Sequence, residues 1–537
     1  MSGISAYFSR RGWRPAIALA YAVAVGLFLY AMAQFYIPGK GFSYLIAFGG
    51  RHATERISAM DGLNYYVLRD SDGYDGQYYA QIAMTPALRD PKLHEAVDGV
   101  PYRARRILFS WTAFALGLGR PAWVLQAFAL QNALCWLGLA GVLLRWFPPA
   151  NWSNFIRWAG VLFSFGMCVS VRNSLIDGPS LLLIALGMWA VERNRPKLAV
   201  GVFALGGLAK ETNLLGSAAL AKADGDGARG WRTTAWRLLL SALPLALWLV
   251  YIERNIGPAG DAGARNFAWP FVGYVHKWGA VWHELGRSDA DNGAWWSLAM
   301  LVALTVQFLF FALRPQPAAA WWRLGAPFAV LMLVLGDAVW EGYPGAASRV
   351  LLAMQLAFNV LLPRGRGWLA VLLLGNLTAF HAVGTLEPPM GEGYRLDGPA
   401  ALVVAPDNAQ ARVEFDQAWF PIEGTRNNTW RWSRGDGTIT ILNPQDFPVA
   451  ARVTLALRSV TARSVRIERG DGAALWRGAV NETALPVDLG LLALAPGRTV
   501  LAFKTNEPPL RPARGDSREL AVCVKNLVVE FRRPAAN

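Results

Sequence analysis

The stretch Arg10-Arg11-Gly12-Trp13-Arg14-Pro15-Ala16-Ile17-Ala18-Leu19 continues without a further charge to Ile37. An apolar run from Pro15 to about Ile37 is long enough to cross about 30 Å of hydrocarbon as a helix. A signal peptide is the competing reading. The run is longer than a typical signal core and lacks a small-residue cleavage site, so it is read as a retained first span. Its basic end then faces the cytoplasm, and the chain beyond Ile37 emerges outside.

The rest of the chain agrees with a membrane reading. Of 537 residues, 54% are hydrophobic and 17% charged, whereas soluble domains carry about a quarter charged residues. The 24 Trp suit a protein with two membrane interfaces, where indole rings concentrate. A net charge of +15 raises nucleic acid as a partner, but its distribution argues against one. Residues 391–537 hold 19 basic and 16 acidic residues, so most of the excess lies in residues 1–390, where it reports orientation. Three cysteines, Cys135, Cys168 and Cys523, make no disulfide framework and read as small buried hydrophobes.

Further apolar runs fall near Trp123–Leu144, Phe155–Val171, Leu175–Val191, Trp236–Ile252, Trp295–Leu313, Leu324–Val339, Ala346–Leu362 and Trp368–Val383. Lys197–Leu220 is different, because both its flanks are basic and its middle is Lys210-Glu211-Thr212-Asn213. A polar break there predicts a re-entrant pair of half-helices whose turn lines a protein cavity. With that assignment the inner segments hold sixteen basic residues and three acids, the bias expected of cytoplasmic loops. The expected fold is a polytopic α-helical membrane domain over 1–385, with about nine spans plus one re-entrant hairpin. From Asp416 onward, alternating segments such as Thr438–Leu442, Arg452–Leu457 and Thr499–Phe503 recur between turn residues. They predict a C-terminal all-β sandwich over 391–537, outside the cytoplasm.

The first outer loop, 38–104, is large for a connection, and long loops in compact domains are usually functional. It contains Arg69-Asp70-Ser71-Asp72-Gly73-Tyr74-Asp75-Gly76-Gln77-Tyr78-Tyr79 and ends at Pro101-Tyr102-Arg103-Ala104-Arg105-Arg106. Other polar residues at outer helix ends are Arg172, Asp177, His276, Glu341 and Arg349, and Lys210 with Glu211 sits at membrane depth. A carboxylate near several arginines is what transfer of a sugar from a phosphate leaving group requires. One base takes the acceptor proton, and cations hold the departing phosphate.

At these residues the chain resembles the bacterial integral-membrane glycosyltransferases of the GT-C superfamily, in particular a group linked to cell-surface glycopolymer formation. The likeness lies in the basic inner end, one span, an acidic outer loop before Tyr78-Tyr79, Tyr102-Arg103-Ala104-Arg105-Arg106-Ile107-Leu108, and an outer β domain. The resemblance implies a polyprenyl-phosphate-linked sugar donor, a glycan or glycolipid acceptor, and outer-leaflet chemistry at a bacterial inner membrane. It also implies a first-loop Asp as general base with inversion. That role falls on Asp75, with Asp72 in reserve. From their position alone, Arg69, Asp70, Tyr79, Arg103, Arg106, Arg172, Asp177, Lys210, Glu211, His276, Glu341 and Arg349 are the candidate substrate-binding residues. No metal ligands are assigned, although a divalent cation, Mg or Mn, bridging a carboxylate and the donor phosphate is compatible with the pattern.

Plainer readings stand beside these. Asp-Gly-Tyr-Asp-Gly is also turn chemistry. The acids at 70, 72 and 75 depart from calcium-loop spacing. Arg349 also reads as an interfacial arginine whose stem snorkels, and Arg172 with Asp177 as a mutual pair flanking a turn. Trp430-Arg431-Trp432 reads as one strand with two indoles in a core, or as a sugar platform. A transporter or flippase of a lipid-linked glycan is the main alternative function, but internal repeats and paired broken helices are not evident. A non-catalytic envelope assembly protein is the other.

Overall fold

The computed structural model describes residues 2–68, 71–221, 227–258, 260, 263–286, 292–342, 344–388, 393–398, 410–425, 428–511 and 518–532. The chain divides into two compact units, one of Met1–Ala59 with Tyr65–Glu387, the other of Met60–Asn64 with Pro388–Asn537.

The first unit is helical. Among the described residues four helices are long and apolar enough to cross a membrane: Pro15–Ala33, Pro121–Leu143, Gly230–Asn255 and Gly293–Leu313. Two bent pairs, Trp152–Leu162 with Phe165–Arg172 and Arg366–Gly375 with Ala379–Leu386, raise the number to six if each is one span. Pro15–Ala33 shows why a helix of this kind suits lipid. Ile17, Tyr21, Phe28 and Met32 are buried at helical spacing, and Phe28 stacks on Trp136 at 3.7 Å. Leu19, Val23, Leu27 and Tyr30 are left exposed, a fully apolar outer face that only hydrocarbon would cover.

The expected count of nine spans is not reached by helix length among the described residues. Asp177–Glu192, Pro196–Ala209, Ala320–Val334 and Leu352–Leu361 run only 16, 14, 15 and 10 residues. After Ala320–Val334 the chain is extended at Leu335, and the Gly336 amide donates to the Asn266 carbonyl at 2.8 Å.

The break at Lys210 is present. Pro196–Ala209 ends there in extended geometry and a ten-residue 3-10 helix, Glu211–Leu220, comes next. The two limbs run back along each other. Asn213 Nδ2 donates to the Gly206 carbonyl at 3.3 Å, and a Cβ on Gly216 would lie 3.3 Å from the Phe203 ring. A 3-10 run this long is uncommon because its hydrogen bonds are poorer, and such runs mark strained or functional places.

The second unit is all-β. One sheet orders its strands Ala474–Val480, Arg463–Arg469, Gly497–Thr505, Gly437–Asn443 and Arg412–Phe415. The other runs Leu485–Leu494, Val449–Ser459, Val522–Arg532, Asn428–Trp432 and Glu423–Thr425, with Tyr394–Asp397 joined parallel to Val522–Arg532. The remaining pairings in both sheets are antiparallel. Period-two burial along Val449–Ser459 puts Val449, Ala451, Val453, Leu455 and Leu457 on one face. They share a core with Ile439, Ile441, Val465, Ile467 and Leu501 of the facing sheet. That is the two-layer arrangement the alternation predicts.

Candidate active site

The acidic stretch of the first loop is a packed structure rather than a loose turn. Gln77, fully buried, donates through Nε2 to the Asp72 carbonyl at 2.7 Å, and its Oε1 accepts from the Gly49 amide and Arg56 Nη1. Arg56 Nη2 closes the knot on the Gly49 carbonyl at 2.7 Å. Gly73 has φ +78°, so turn chemistry accounts for that glycine. Gly76 answers to a neighbour instead. A Cβ there would lie 2.3 Å from the Asn173 carbonyl oxygen and 2.9 Å from that of Ile46. Alanine is ordinarily the better helix former, yet Gly76→Ala is expected to destabilise by about 1–3 kcal/mol, the scale of overpacking against a rigid partner. A thermal unfolding midpoint that rises would show that the contact is slack.

Asp75 stands immediately before helix Gly76–Met84 but makes no capping hydrogen bond. Its Oδ1 instead accepts from Arg103 Nη2 at 3.0 Å, and its side chain remains about one third exposed at 35%. Arg103 is held on its other side by Asp98, Nε to Oδ1 at 2.9 Å and Nη2 to Oδ2 at 2.7 Å. Burial alone would lower the Arg103 pKa, but Asp98 and Asp75 outweigh it and raise it above the ordinary value. The guanidinium therefore stays charged and fixed between two carboxylates and the Tyr78, Tyr79 and Tyr102 rings.

Arg106 meets the hairpin turn. Its Nε and Nη2 bind Glu211 in a fork at 2.8 and 2.7 Å, and Nη1 donates to the Tyr79 hydroxyl at 3.0 Å. Such a bidentate pair fixes orientation as well as charge. Arg105 lies over the Tyr102 ring at 4.3 Å, with Nη1 3.9 Å from Glu211. The Tyr102 hydroxyl accepts from Asn266 Nδ2 at 3.0 Å and Arg106 Nη2 at 3.4 Å. Burial raises the Tyr102 pKa, but these donors and the positive charges prevail and the phenol lies below its ordinary value.

Lys210 and Arg349 complete the group. Buried Asp177, in the first turn of Asp177–Glu192, accepts from Lys210 Nζ at 2.6 Å and Arg349 Nη1 at 3.3 Å. Arg349 lies 5.7 Å from the ring centre of Tyr74, the residue before Asp75, and Lys210 is the chain neighbour of Glu211, which holds Arg106. One connected cluster thus draws on the first loop, the Asp177 helix, the Lys210 break and the Arg349 helix.

Not every expected residue joins it. Asp72 lies at the rim, paired with Arg51 at 3.2 Å and with its side chain 66% exposed. Arg172 does not pair with Asp177; it covers the Tyr44 and Phe35 rings, because Asp177 already has two closer cations. His276 pairs with Asp337 on an exposed surface. Glu341 pairs with Arg265, also exposed, and is no partner for Arg349. Arg69 and Asp70 lie outside the described residues. Asp98 and Asn266 are not singled out by sequence, and Tyr102 only as part of its motif, with no role. Asp98 carries a weak signal as the acid five positions before Arg103, and Asn266 carries none.

Among the described residues no group of three or more His, Cys, Asp and Glu side chains is gathered to hold a metal ion. The site carboxylates face guanidinium or ammonium groups instead.

No protein-family model and no curated protein matches the chain. Among the solved structures that resemble the chain, two remote likenesses are of note. One is to a beta-(1,4)-mannanase from Podospora anserina, 12% identical over 24% of this chain and 27% of that one, with a TM-score of 0.14. The other is to the arabinosyltransferase EmbB from Mycobacterium smegmatis, 12% identical over 95% of this chain and 64% of that one, with a TM-score of 0.26. This chain thus matches less than two thirds of either.

Proposed function

We propose that the helical unit is a GT-C-type glycosyltransferase of a bacterial inner membrane, moving a sugar from a polyprenyl-phosphate donor to a glycan or glycolipid on the outer side. One observation carries the reading: the balance of charge around Asp75. Arg103, Arg105, Arg106, Lys210 and Arg349 meet Asp75, Asp98, Asp177 and Glu211, five cations against four carboxylates. An uncompensated charge in a largely buried cluster is costly. A donor phosphodiester, with one negative charge, supplies the missing counter-charge.

Transfer then takes one displacement. The acceptor hydroxyl oxygen attacks the anomeric carbon while its proton passes to Asp75 Oδ2. The bond from that carbon to the phosphate oxygen breaks, its electron pair leaves with the polyprenyl phosphate, and the configuration inverts. The phosphate gains a second negative charge as the bond breaks, so the cations bind the transition state more strongly than the donor. Arg103 holds Asp75 through one oxygen, leaving the other for the acceptor.

The test is sugar transfer by purified protein in nanodiscs, offered a panel of synthetic polyprenyl-phosphate sugars. Consumption of one donor with release of polyprenyl phosphate supports the reading. Binding of lipid-linked glycans with none consumed across a broad panel would favour a transporter or assembly role. Arg106→Lys keeps the charge but loses the fork to Glu211, and is expected to raise the donor KM about tenfold, the scale of one charged hydrogen bond.

A further inference from the structure

The six-strand layer of the β unit buries one face in the sandwich core through Val522 and Val524. The alternate residues Cys523 and Lys525 therefore point to the opposite face. Cys523 stands opposite Trp432 and Arg458, and Lys525 opposite Trp430. Trp432, Leu520 and Cys523, with Phe420 and Trp430 against them, form a small apolar cluster there.

Cations lie over these rings. Arg458 is 5.0 Å from the Trp432 ring centre and 5.9 Å from that of Trp430, and Lys525 is 5.9 Å from Trp430. Arg434 and Arg518 both cover Phe420, at 4.6 and 4.9 Å. Beside them an open hollow of about 350 Å³ is lined by Phe420, Arg434, Arg511, Arg518 and Glu519.

Elsewhere in the unit several cations are matched among the described residues, Arg395 with Asp397, Arg412 with Glu414, Arg452 with Asp488 and Lys504 with Glu468, and the exposed Arg477 stands singly, away from any such grouping. On this face Arg518 and Arg511 have Glu423 and Glu519. Arg434, Arg458 and Lys525 have no carboxylate partner among the described residues. A guanidinium laid on a ring is already ordered and keeps its N–H edge available, so it loses little freedom on meeting a planar or tetrahedral oxyanion. Three unmatched cations on one aromatic floor would attract a ligand carrying several negative charges.

We propose that this face binds an acidic saccharide, its carboxylate or phosphate groups taken by Arg434, Arg458 and Lys525. The choice of a saccharide rests on the transferase reading above, whose product is a glycan; the preference for acid rests on the cations alone.

The test is binding, without turnover, by full-length protein in nanodiscs of zwitterionic phospholipid, using oligogalacturonate, a phosphate-linked sugar oligomer and neutral dextran. Expected is binding of an acidic oligomer over dextran, weakened by salt and at least tenfold weaker in Arg434→Gln/Arg458→Gln. Arg477→Gln, an exposed cation on strand Ala474–Val480 of the other sheet, is expected to bind as wild type. Preference for one oligomer assigns the group as carboxylate or phosphate; equal binding of both assigns it to charge alone. Dextran binding as well as the acidic oligomers, or a double variant that binds as wild type, overturns the proposal. So does charge-dependent binding confined to vesicles of anionic phospholipid, which would make the face a headgroup contact. Sugar transfer is measured separately on a short neutral acceptor, so loss of transferase activity and loss of this binding are distinguishable.

Discussion

Asp75→Asn is expected to lower kcat for sugar transfer by about 10²–10⁴-fold, the usual contribution of a positioned general base, while the donor still binds. The amide is nearly the same shape, and its oxygen still accepts from Arg103 Nη2, which lies 3.0 Å from Oδ1 in the wild type. Asp98 continues to hold the guanidinium, so the loop keeps its form and what disappears is basicity. Asp72→Asn is the matched control. Its carboxylate is solvated and paired with Arg51 and His52, and an exposed pair of this kind accounts for less than about fivefold. Single-turnover kinetics at equal amounts of folded protein separates the two. Should Asp72→Asn be the inactive variant and Asp75→Asn the active one, the base is Asp72, and the Asp75 to Arg103 pair is structural.

The largest loss of stability is expected at Asp177. It is 7% exposed and answers both Lys210 and Arg349, so Asp177→Ala leaves two buried cations without their shared anion. Breaking a buried pair on one side costs about 3–5 kcal/mol, because the remaining charge stays desolvated. Unfolding in detergent is expected to show a loss of that size, and Asp177→Ala/Lys210→Met to show less than the sum of its single changes. Additive losses would mean that the turn opens to water and the pair is effectively exposed.

The cluster at the Lys210 break is half legible in the chain. An ionisable pair inside an apolar run demands a partner or a cavity, and that demand is written in the sequence. Which partners answer it is not. Lys210 takes Asp177, and its neighbour Glu211 takes Arg106, 105 residues earlier. A local reading pairs Arg172 with Asp177 from proximity along the chain. The fold places Arg172 over aromatic rings instead, since the hairpin and the Arg349 helix bring better cations to Asp177.

The sequence by itself determined the apolar helices, the period-two strands of the C-terminal region and the polar break at Lys210. The helices and strands arise from hydrophobic spacing, which acts over a few residues, and the break from ionisable residues inside an apolar run. Only the tertiary structure decided that Asp75 faces Arg103 while Asp72 stays at the rim, that Asp98 and Asn266 support the site, and that His276 and Glu341 stand apart. The lengths of the shorter helices, such as the ten residues of Leu352–Leu361, were likewise visible only in the structure. Hydrophobic pattern sets which face is buried. Which charges then meet depends on how the buried faces pack, and segments far apart in the chain have no local signal to announce it.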